Sequence, residues 1–333
     1  MQTALRHYLT DLGQVAFLER KDEDKAFAKT SMPWRIIREC LYSMGFIVVR
    51  QMFVVAFVCL MTSVAIQVSG ADDAREDRKP ITKLLIPAYF YPAGEGLKTW
   101  NRLIDSHSPD DQIEIVAIAN INSGNVGVTV DSNYADVIGR ATKKGLTVIA
   151  YITSDYANSH GVASLETAKK NVTNWFKLYP QLHGVFIDEQ TSDGTAIASY
   201  YEPLRKHIRS VASKALIVGN PGNNCVEDYL AKRADGPIMD VVIIHENNET
   251  KVPYANAVPA AWMSNYSSDR FAMLVHTSAT FGKQLRLARN RRTGYVFVTD
   301  ATGPPPDTIH PWGTLPAYWD DELQMIGALN DNR

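Results

Sequence analysis

The feature that most constrains this chain is a regular alternation of two kinds of segment, which begins near Lys83. Short apolar runs rich in β-branched residues cover 84–92, 113–121, 146–153, 184–190, 215–222, 240–247, 271–278 and 294–301. Longer amphipathic stretches with helical character cover 96–106, 132–144, 164–179, 195–213, 226–234, 254–262, 280–291 and 316–329. Alternating strand and helix units imply a parallel sheet, whose buried strands read as near-continuous apolar runs.

These units predict an α/β chain folded as one (β/α)8 TIM barrel over residues 83–333. An open, doubly wound sheet is the alternative. We favour the barrel because there are eight runs, the last unit ends in a helix, and no Gly-rich phosphate loop follows the first run. About 250 residues is an ordinary length for such a barrel.

An uncharged apolar segment, Met52–Val68, precedes the barrel. It is short for a membrane span and slightly long for the core of a signal peptide. Basic residues precede it and acidic residues follow, so the positive-inside rule predicts a barrel outside the cytoplasm. We therefore expect residues 1–50 to be an N-terminal extension, either cytoplasmic or upstream of the true start. Residues 51–71 would be a signal peptide or signal anchor and 72–82 a linker, making the protein secreted or membrane-anchored.

Composition excludes several classes of function. The formal net charge is −2 and no long basic run occurs, which argues against nucleic-acid binding. Cys225 is the only cysteine of the barrel region, so no internal disulfide is expected there and a buried thiol is favoured over a nucleophile. Familiar metal, P-loop and serine-hydrolase motifs are absent from the sequence, which predicts neither cofactor nor metal. A metal site at His245, Glu246 and His276 is a minor alternative. We expect a monomer that meets a membrane only through its N-terminal segment.

Three acidic residues end apolar runs. Asp188 and Glu189 directly follow a Val-Phe-Ile run, and Glu246 follows a Val-Val-Ile-Ile run with only His245 between. The carboxyl ends of barrel strands carry the active sites of barrel enzymes, and an acid there is costly to desolvate unless it is paired or used. Because side chains alternate along a strand, a bend is needed to bring both Asp188 and Glu189 to the mouth. Two carboxyl groups flanking one bond are what glycoside hydrolysis requires, whereas solvated loop acids are the structural alternative.

Other residues at or near the predicted mouth are candidates for binding a sugar polymer. Aromatic rings offer flat apolar surfaces, and amide, imidazole and carboxyl groups can hydrogen-bond hydroxyl or acetamido groups. Single Asn and Asp residues can instead be caps or turn formers. The candidates are Tyr89, Tyr91, Asn120, Asn122, Tyr151, Asn220, His245, His276, Asp300, Trp312 and Tyr318.

Several motifs occur in a recognisable order. They are PAYFYP at 87–92, GVFIDEQ at 184–190, VGNPG at 218–222, IHE at 244–246, YVFVTD at 295–300, PWG at 311–313 and LPAYW at 315–319. Together, from about Leu84 to Leu329, they resemble the spherulin-4-like family of glycoside hydrolases. That resemblance implies a (β/α)8 barrel and endo-acting hydrolysis of α-1,4-linked N-acetylgalactosamine or galactosamine polymers of microbial exopolysaccharide. It also implies that Asp188, Glu189 and Glu246 are active-site carboxylates.

The sequence therefore predicts an exported endo-glycosidase with a polysaccharide substrate. Glu246 would be the acid/base, Asp188 the nucleophile or substrate-assisting group, and Glu189 a third carboxylate. The alternative is a carbohydrate-binding or cell-surface structural protein that has kept the barrel without turnover.

Overall fold

The computed structural model describes residues 82–108, 113–302 and 311–331. The predicted N-terminal extension and export segment, and all of the predicted linker except Thr82, lie outside the described residues. No helix in the described part of the chain is long and apolar enough to cross a membrane.

Eight parallel strands close into a barrel in chain order. They are β1 (Lys83–Ala88), β2 (Ile115–Ala119), β3 (Thr147–Thr153), β4 (Gly184–Asp188), β5 (Leu216–Gly219), β6 (Val241–Asn248), β7 (Phe271–His276) and β8 (Tyr295–Val298). The closing pair, β1 with β8, sets Lys83 opposite Tyr295 and Leu84 opposite Val296. The predicted (β/α)8 barrel is thus confirmed, and the doubly wound alternative is wrong.

Six α-helices accompany the strands in the described ranges. They are α1 (Glu95–Asp105), α2 (Ser132–Lys144), α3 (Leu165–Leu178), α4 (Glu202–Val211), α5 (Phe281–Asn290) and α6 (Trp319–Asp331). Local chemistry sets their ends. The Asp131 carboxylate accepts from the backbone N–H groups of Asn133 and Tyr134 at the start of α2, and Gly145 ends that helix at φ 105°.

Two predicted helices, 226–234 and 254–262, do not form. Their places are taken by 3-10 turns at Glu227–Tyr229, Tyr254–Asn256 and Ala261–Asn265. In the second stretch, Pro259 lacks a backbone N–H and disfavours helical geometry in the residue before it. The first stretch is very short, and a helix of that length has little stability of its own. Tyr229 and Tyr254 are buried and cover the barrel there instead.

The core has two layers, one inside the barrel and one between strands and helices. Every residue of β2 is buried, as expected for a strand covered on both faces. Trp100 and Trp175 are fully buried in the outer layer, and their indole N–H groups donate to the backbone oxygens of Phe90 and Tyr151. These bonds tie α1 and α3 to the carboxyl ends of β1 and β3, which stiffens the barrel mouth.

Candidate active site

Asp188 and Glu246 meet at the mouth through one amide. The Asn220 side-chain nitrogen, just beyond β5, donates to Asp188 Oδ1 at 2.6 Å and to Glu246 Oε2 at 2.5 Å. Since both bonds share a nitrogen, these two carboxyl oxygens can be at most about 5.1 Å apart. The intervening strand β5 therefore holds two acids from β4 and β6 face to face.

Each acid has one further donor on its other oxygen. The Tyr151 hydroxyl of β3 donates to Asp188 Oδ2 at 2.8 Å, and the Trp312 indole N–H donates to Glu246 Oε1 at 3.2 Å. In the described part of the chain, neither acid forms an ion pair with Lys, Arg or His. Like charges thus face each other with only neutral donors around them.

This arrangement raises the pKa of both carboxyl groups. Desolvation in the recessed mouth is the largest cause for each, although both side chains remain partly open to solvent. For Glu246, desolvation and the nearby charge of Asp188 together raise the pKa to about 7. For Asp188, the hydrogen bonds from Tyr151 and Asn220 oppose desolvation by stabilising the anion. Glu246 is therefore suited to carry a proton near neutral pH. Asp188, beside it, is better suited to be an anion because two hydrogen-bond donors stabilise its charge.

Glu189 reaches the same region because the chain bends sharply. Its φ is 53°, in the left-handed region, so Asp188 and Glu189 escape the alternation of a regular strand. The Thr153 hydroxyl, at the end of β3, donates to Glu189 Oε2 at 2.5 Å. The bend that the sequence required is therefore present, and three carboxylates gather at the ends of β4 and β6.

Strained backbone clusters at this end of the barrel. Eight non-glycine residues in the described ranges have left-handed φ values, and all but Arg292 follow the carboxyl end of a strand. They are Asn122, Ser123, Asp155, Tyr156, Ala157, Glu189 and Thr277. Such conformations persist only where surrounding contacts impose them, and they concentrate at functional sites.

Four other predicted residues line or back the carboxylates: Tyr89, Tyr151, Trp312 and His276. The Tyr89 ring packs edge-on against Tyr151 at 5.5 Å, and burial together with the charges of Asp188 and Glu246 raises its pKa. Trp312 is only 5% exposed, with His276 edge-on behind it at 5.5 Å. Trp312 is therefore placed to orient Glu246 rather than to offer a broad face to a sugar.

For the other predicted residues, the contacts found are with groups other than the three carboxylates. Tyr91 accepts from Asn133 and donates to Asp131 at the start of α2. His245 is buried and packs against Tyr254. Asp300 accepts from the backbone of Ala317, and Tyr318 stacks on Phe281 and donates to Ser278. Asn122 is exposed in the loop after β2, and Asn120 bonds Tyr134 through its backbone oxygen.

Two supporting residues escaped the sequence reasoning. The Ser154 hydroxyl bonds the backbone oxygens of Asp188 and Glu189 as well as the Tyr201 hydroxyl. Gln190 is fully buried and fills the space beside Gly219, where a Cβ would lie 1.8 Å from the Gln190 side-chain oxygen. The glycine just before Asn220 was a readable signal, whereas nothing in the sequence pointed to Ser154.

No group of three or more His, Cys, Asp or Glu suited to a metal ion occurs among the described residues. Cys225 is buried, and burial raises the pKa of its thiol to about 12, which is the behaviour of a structural cysteine.

Comparison with known proteins places the chain in a family. The model of the spherulation-specific family 4 matches residues 83–326, the whole barrel up to the middle of α6. The chain belongs to spherulation-specific family 4. Spherulin-4 of Physarum polycephalum, a member by name, is 26% identical over 256 residues, which cover 74% of this chain and 71% of that protein.

Comparison with solved structures found several chains that are similar to this member of family 4 at low sequence identity. They include an exo-β-1,4-mannosidase from Opitutaceae bacterium strain TAV5, with TM-score 0.41, 10% identity, and coverage of 76% of this chain and 60% of that one. A malate synthase from Haloferax volcanii has a TM-score of 0.41 and 11% identity, and the match covers 70% of this chain and 72% of that one. A sugar phosphate isomerase/epimerase from Parabacteroides distasonis has TM-score 0.40 and 11% identity, covering 76% and 94%.

Proposed function

We propose that this protein is an exported endo-glycosidase that cleaves polysaccharides containing galactosamine or N-acetylgalactosamine. The observation that carries the hydrolase proposal is the Asn220 amide, which holds one carboxyl oxygen of Asp188 within about 5.1 Å of one carboxyl oxygen of Glu246. Two opposed carboxyl groups at a barrel mouth are the working parts of a glycosidase, which needs one acid and one nucleophile or base.

In this proposal Glu246 is the general acid. With its pKa raised to about 7, it holds a proton at mildly acidic pH and gives it to the glycosidic oxygen as the bond breaks. Asp188 is the nucleophile, which attacks the anomeric carbon, or it orients a substrate acetamido group that does so. Glu246, now an anion, then takes a proton from the water that releases the sugar. Glu189 lies beside the pair as a third acidic group.

The short spacing supports a retaining mechanism. Retaining glycosidases place their carboxyl groups about 5–5.5 Å apart, whereas inverting enzymes need roughly 6.5–9.5 Å to admit a water molecule. The facing oxygens, at most about 5.1 Å apart, are close enough for the first class. Products should therefore keep the anomeric configuration of the bond that is cleaved.

The charge of the mouth supports an uncharged or cationic polymer. Asp188, Glu189 and Glu246 lie together, and their hydrogen-bond donors in the described residues are neutral side chains. Such a surface attracts protonated amino groups and repels uronate or sulfate groups. This agrees with a galactosamine polymer, for which the family resemblance is the remaining support.

The test is a turnover assay with the purified full-length protein. Polymers of galactosamine, of N-acetylgalactosamine and of an anionic uronic acid would be compared by reducing-end release, and fresh products by the anomer that NMR detects first. We expect internal cleavage of a galactosamine-containing polymer with retained configuration and no cleavage of the uronate. Tight binding without any product would favour the non-catalytic sugar-binding alternative.

A further inference from the structure

Tyr156 is an exposed aromatic residue at the mouth that the proposed chemistry leaves without a role. Its side chain is 63% exposed, compared with 52% for Tyr91, the other exposed aromatic residue of the described ranges. Within those ranges its ring forms no aromatic pair and its hydroxyl no hydrogen bond. Most aromatic rings of the barrel lie in the core, so an open ring here needs an explanation.

The backbone around Tyr156 is held in a costly conformation. Asp155, Tyr156 and Ala157 have φ values of 39°, 55° and 63°, three consecutive left-handed residues without a glycine. Left-handed geometry is disfavoured for each residue with a Cβ, so a run of three needs strong external restraint. A loop free to relax would not keep this shape.

The restraint comes from the strand ends that carry the acids. The backbone N–H of Tyr156 donates to the backbone oxygen of Glu189 at 2.7 Å, and the backbone N–H of Ser154 donates to the backbone oxygen of Asp188 at 3.0 Å. The Asp155 N–H donates to the Thr153 hydroxyl, which itself donates to the Glu189 carboxylate. The loop after β3 is thus bonded directly to the two residues that present the carboxylates.

The ring therefore stands next to the reacting groups. The pKa of Tyr156 is raised, first by partial burial and then by nearby negative charge. That charge includes Glu189, Asp188 and Glu246, so all three acids are close enough to act on the Tyr156 hydroxyl. An exposed aromatic ring whose backbone is bonded to the residues that carry the acids has the properties of a sugar-stacking surface, because pyranose rings carry an apolar face of C–H groups.

We propose that Tyr156 is the stacking platform for the sugar ring beside the bond that is cleaved, and hence a specificity-determining residue. The inference rests on the proposed function, since it assigns a polysaccharide to this mouth. The loop bonds to Asp188 and Glu189 fix the distance between the platform and the carboxylates. A substrate is therefore held by one ring face on Tyr156 while the acids act on its linkage.

The experiment separates the contribution of the flat Tyr156 ring from the contributions of its hydroxyl group and of its apolar volume. Tyr156→Phe keeps the ring, Tyr156→Leu keeps apolar volume without a flat face, and Tyr156→Ala removes both. Val128→Ala, at a 75% exposed position in the loop after β2, is the control for losing an exposed apolar side chain. Melting temperatures of all four full-length variants show whether the fold is retained.

We expect Tyr156→Ala and Tyr156→Leu to raise KM for the polymer about tenfold with kcat little changed, the usual size of a lost aromatic contact. Val128→Ala should stay near wild type, and Tyr156→Phe, which keeps the ring, should raise KM much less than Tyr156→Leu does. If Tyr156→Leu and Tyr156→Ala both bind and cleave like wild type, Tyr156 is not a platform.

Equilibrium binding keeps the two proposals distinguishable. The affinity of each variant for the galactosamine polymer would be measured by calorimetry in the Glu246→Gln background, so that no cleavage occurs. A tenfold loss with Tyr156→Ala supports the platform even if the wild type never releases product, which would refute only the hydrolase. Unchanged affinity, or no binding by any form, overturns the platform.

Discussion

Replacing Glu246 with glutamine should favour the folded protein more above neutral pH than at acidic pH, and the raised pKa of Glu246 sets the size of that difference. Burial and the charge of Asp188 raise the pKa of Glu246 from 4.5 to about 7. At about 1.4 kcal/mol per pH unit, the anion costs the folded state about 3 kcal/mol. Solvent access at the mouth reduces this figure, so we expect about 2 kcal/mol.

The sign follows from proton binding. Between pH 4.5 and 7 the folded state holds the Glu246 proton more tightly than the unfolded state does. Wild-type stability from this group is therefore complete below pH 4.5, falls as the pH rises through 7, and is lost above it. Glu246→Gln has no such loss. The amide faces N–H donors of Asn220 and Trp312, and the mismatch costs some stability at every pH.

The assay is the difference in melting temperature between variant and wild type, measured at pH 5 and at pH 8. Because the mismatch cost is common to both conditions, only the ionisation of Glu246 changes the difference. About 2 kcal/mol corresponds to a relative gain of roughly 4–8 °C at pH 8 for a domain of this size. Glu114→Gln, which removes one charge at the opposite end of the barrel, is the control. An identical difference at both pH values would refute the raised pKa.

Two further predictions follow from single contacts, and a third from the proposed export. Trp312→Phe removes an N–H donor that lowers the pKa of Glu246, so the alkaline limb of the pH profile of kcat/KM should move to higher pH. An unmoved limb would contradict the hydrogen bond between Trp312 and Glu246. Gly219→Ala should lower the unfolding free energy by about 2 kcal/mol in denaturant melts because its Cβ would strike the buried Gln190, whereas Gly139→Ala, in open space on α2, should not. In the native host, added protease should reach the barrel on intact cells; protection would contradict export.

The sequence predicted the barrel because its strands are marked by local composition. Eight apolar runs and the acids that end β4 and β6 are visible without any tertiary information. Predicted helices failed at 226–234 and 254–262, where 3-10 turns form instead and the buried Tyr229 and Tyr254 had contributed to the apolar pattern. Apolar spacing alone does not distinguish a helix from a buried irregular segment.

Side-chain direction at the strand ends was harder to predict. The left-handed turn at Glu189 brings two successive acids to one mouth, and a register shift between Ile243 and His245 adjusts the end of β6 against β7. His245 and Tyr318 were expected at the mouth, yet His245 packs on Tyr254 and Tyr318 on Phe281. Such choices depend on contacts between residues distant in sequence, which periodicity does not encode.

The central claim is that Asp188 and Glu246 act together as the catalytic pair. Its most direct test is product release from a galactosamine-containing polymer by wild type, Asp188→Asn and Glu246→Gln, with melting curves to show that each variant is folded. We expect each variant to lose about 10²–10⁴-fold in turnover, the usual contribution of general acid–base catalysis, and to stay folded. Near-wild-type turnover by both folded variants would contradict it.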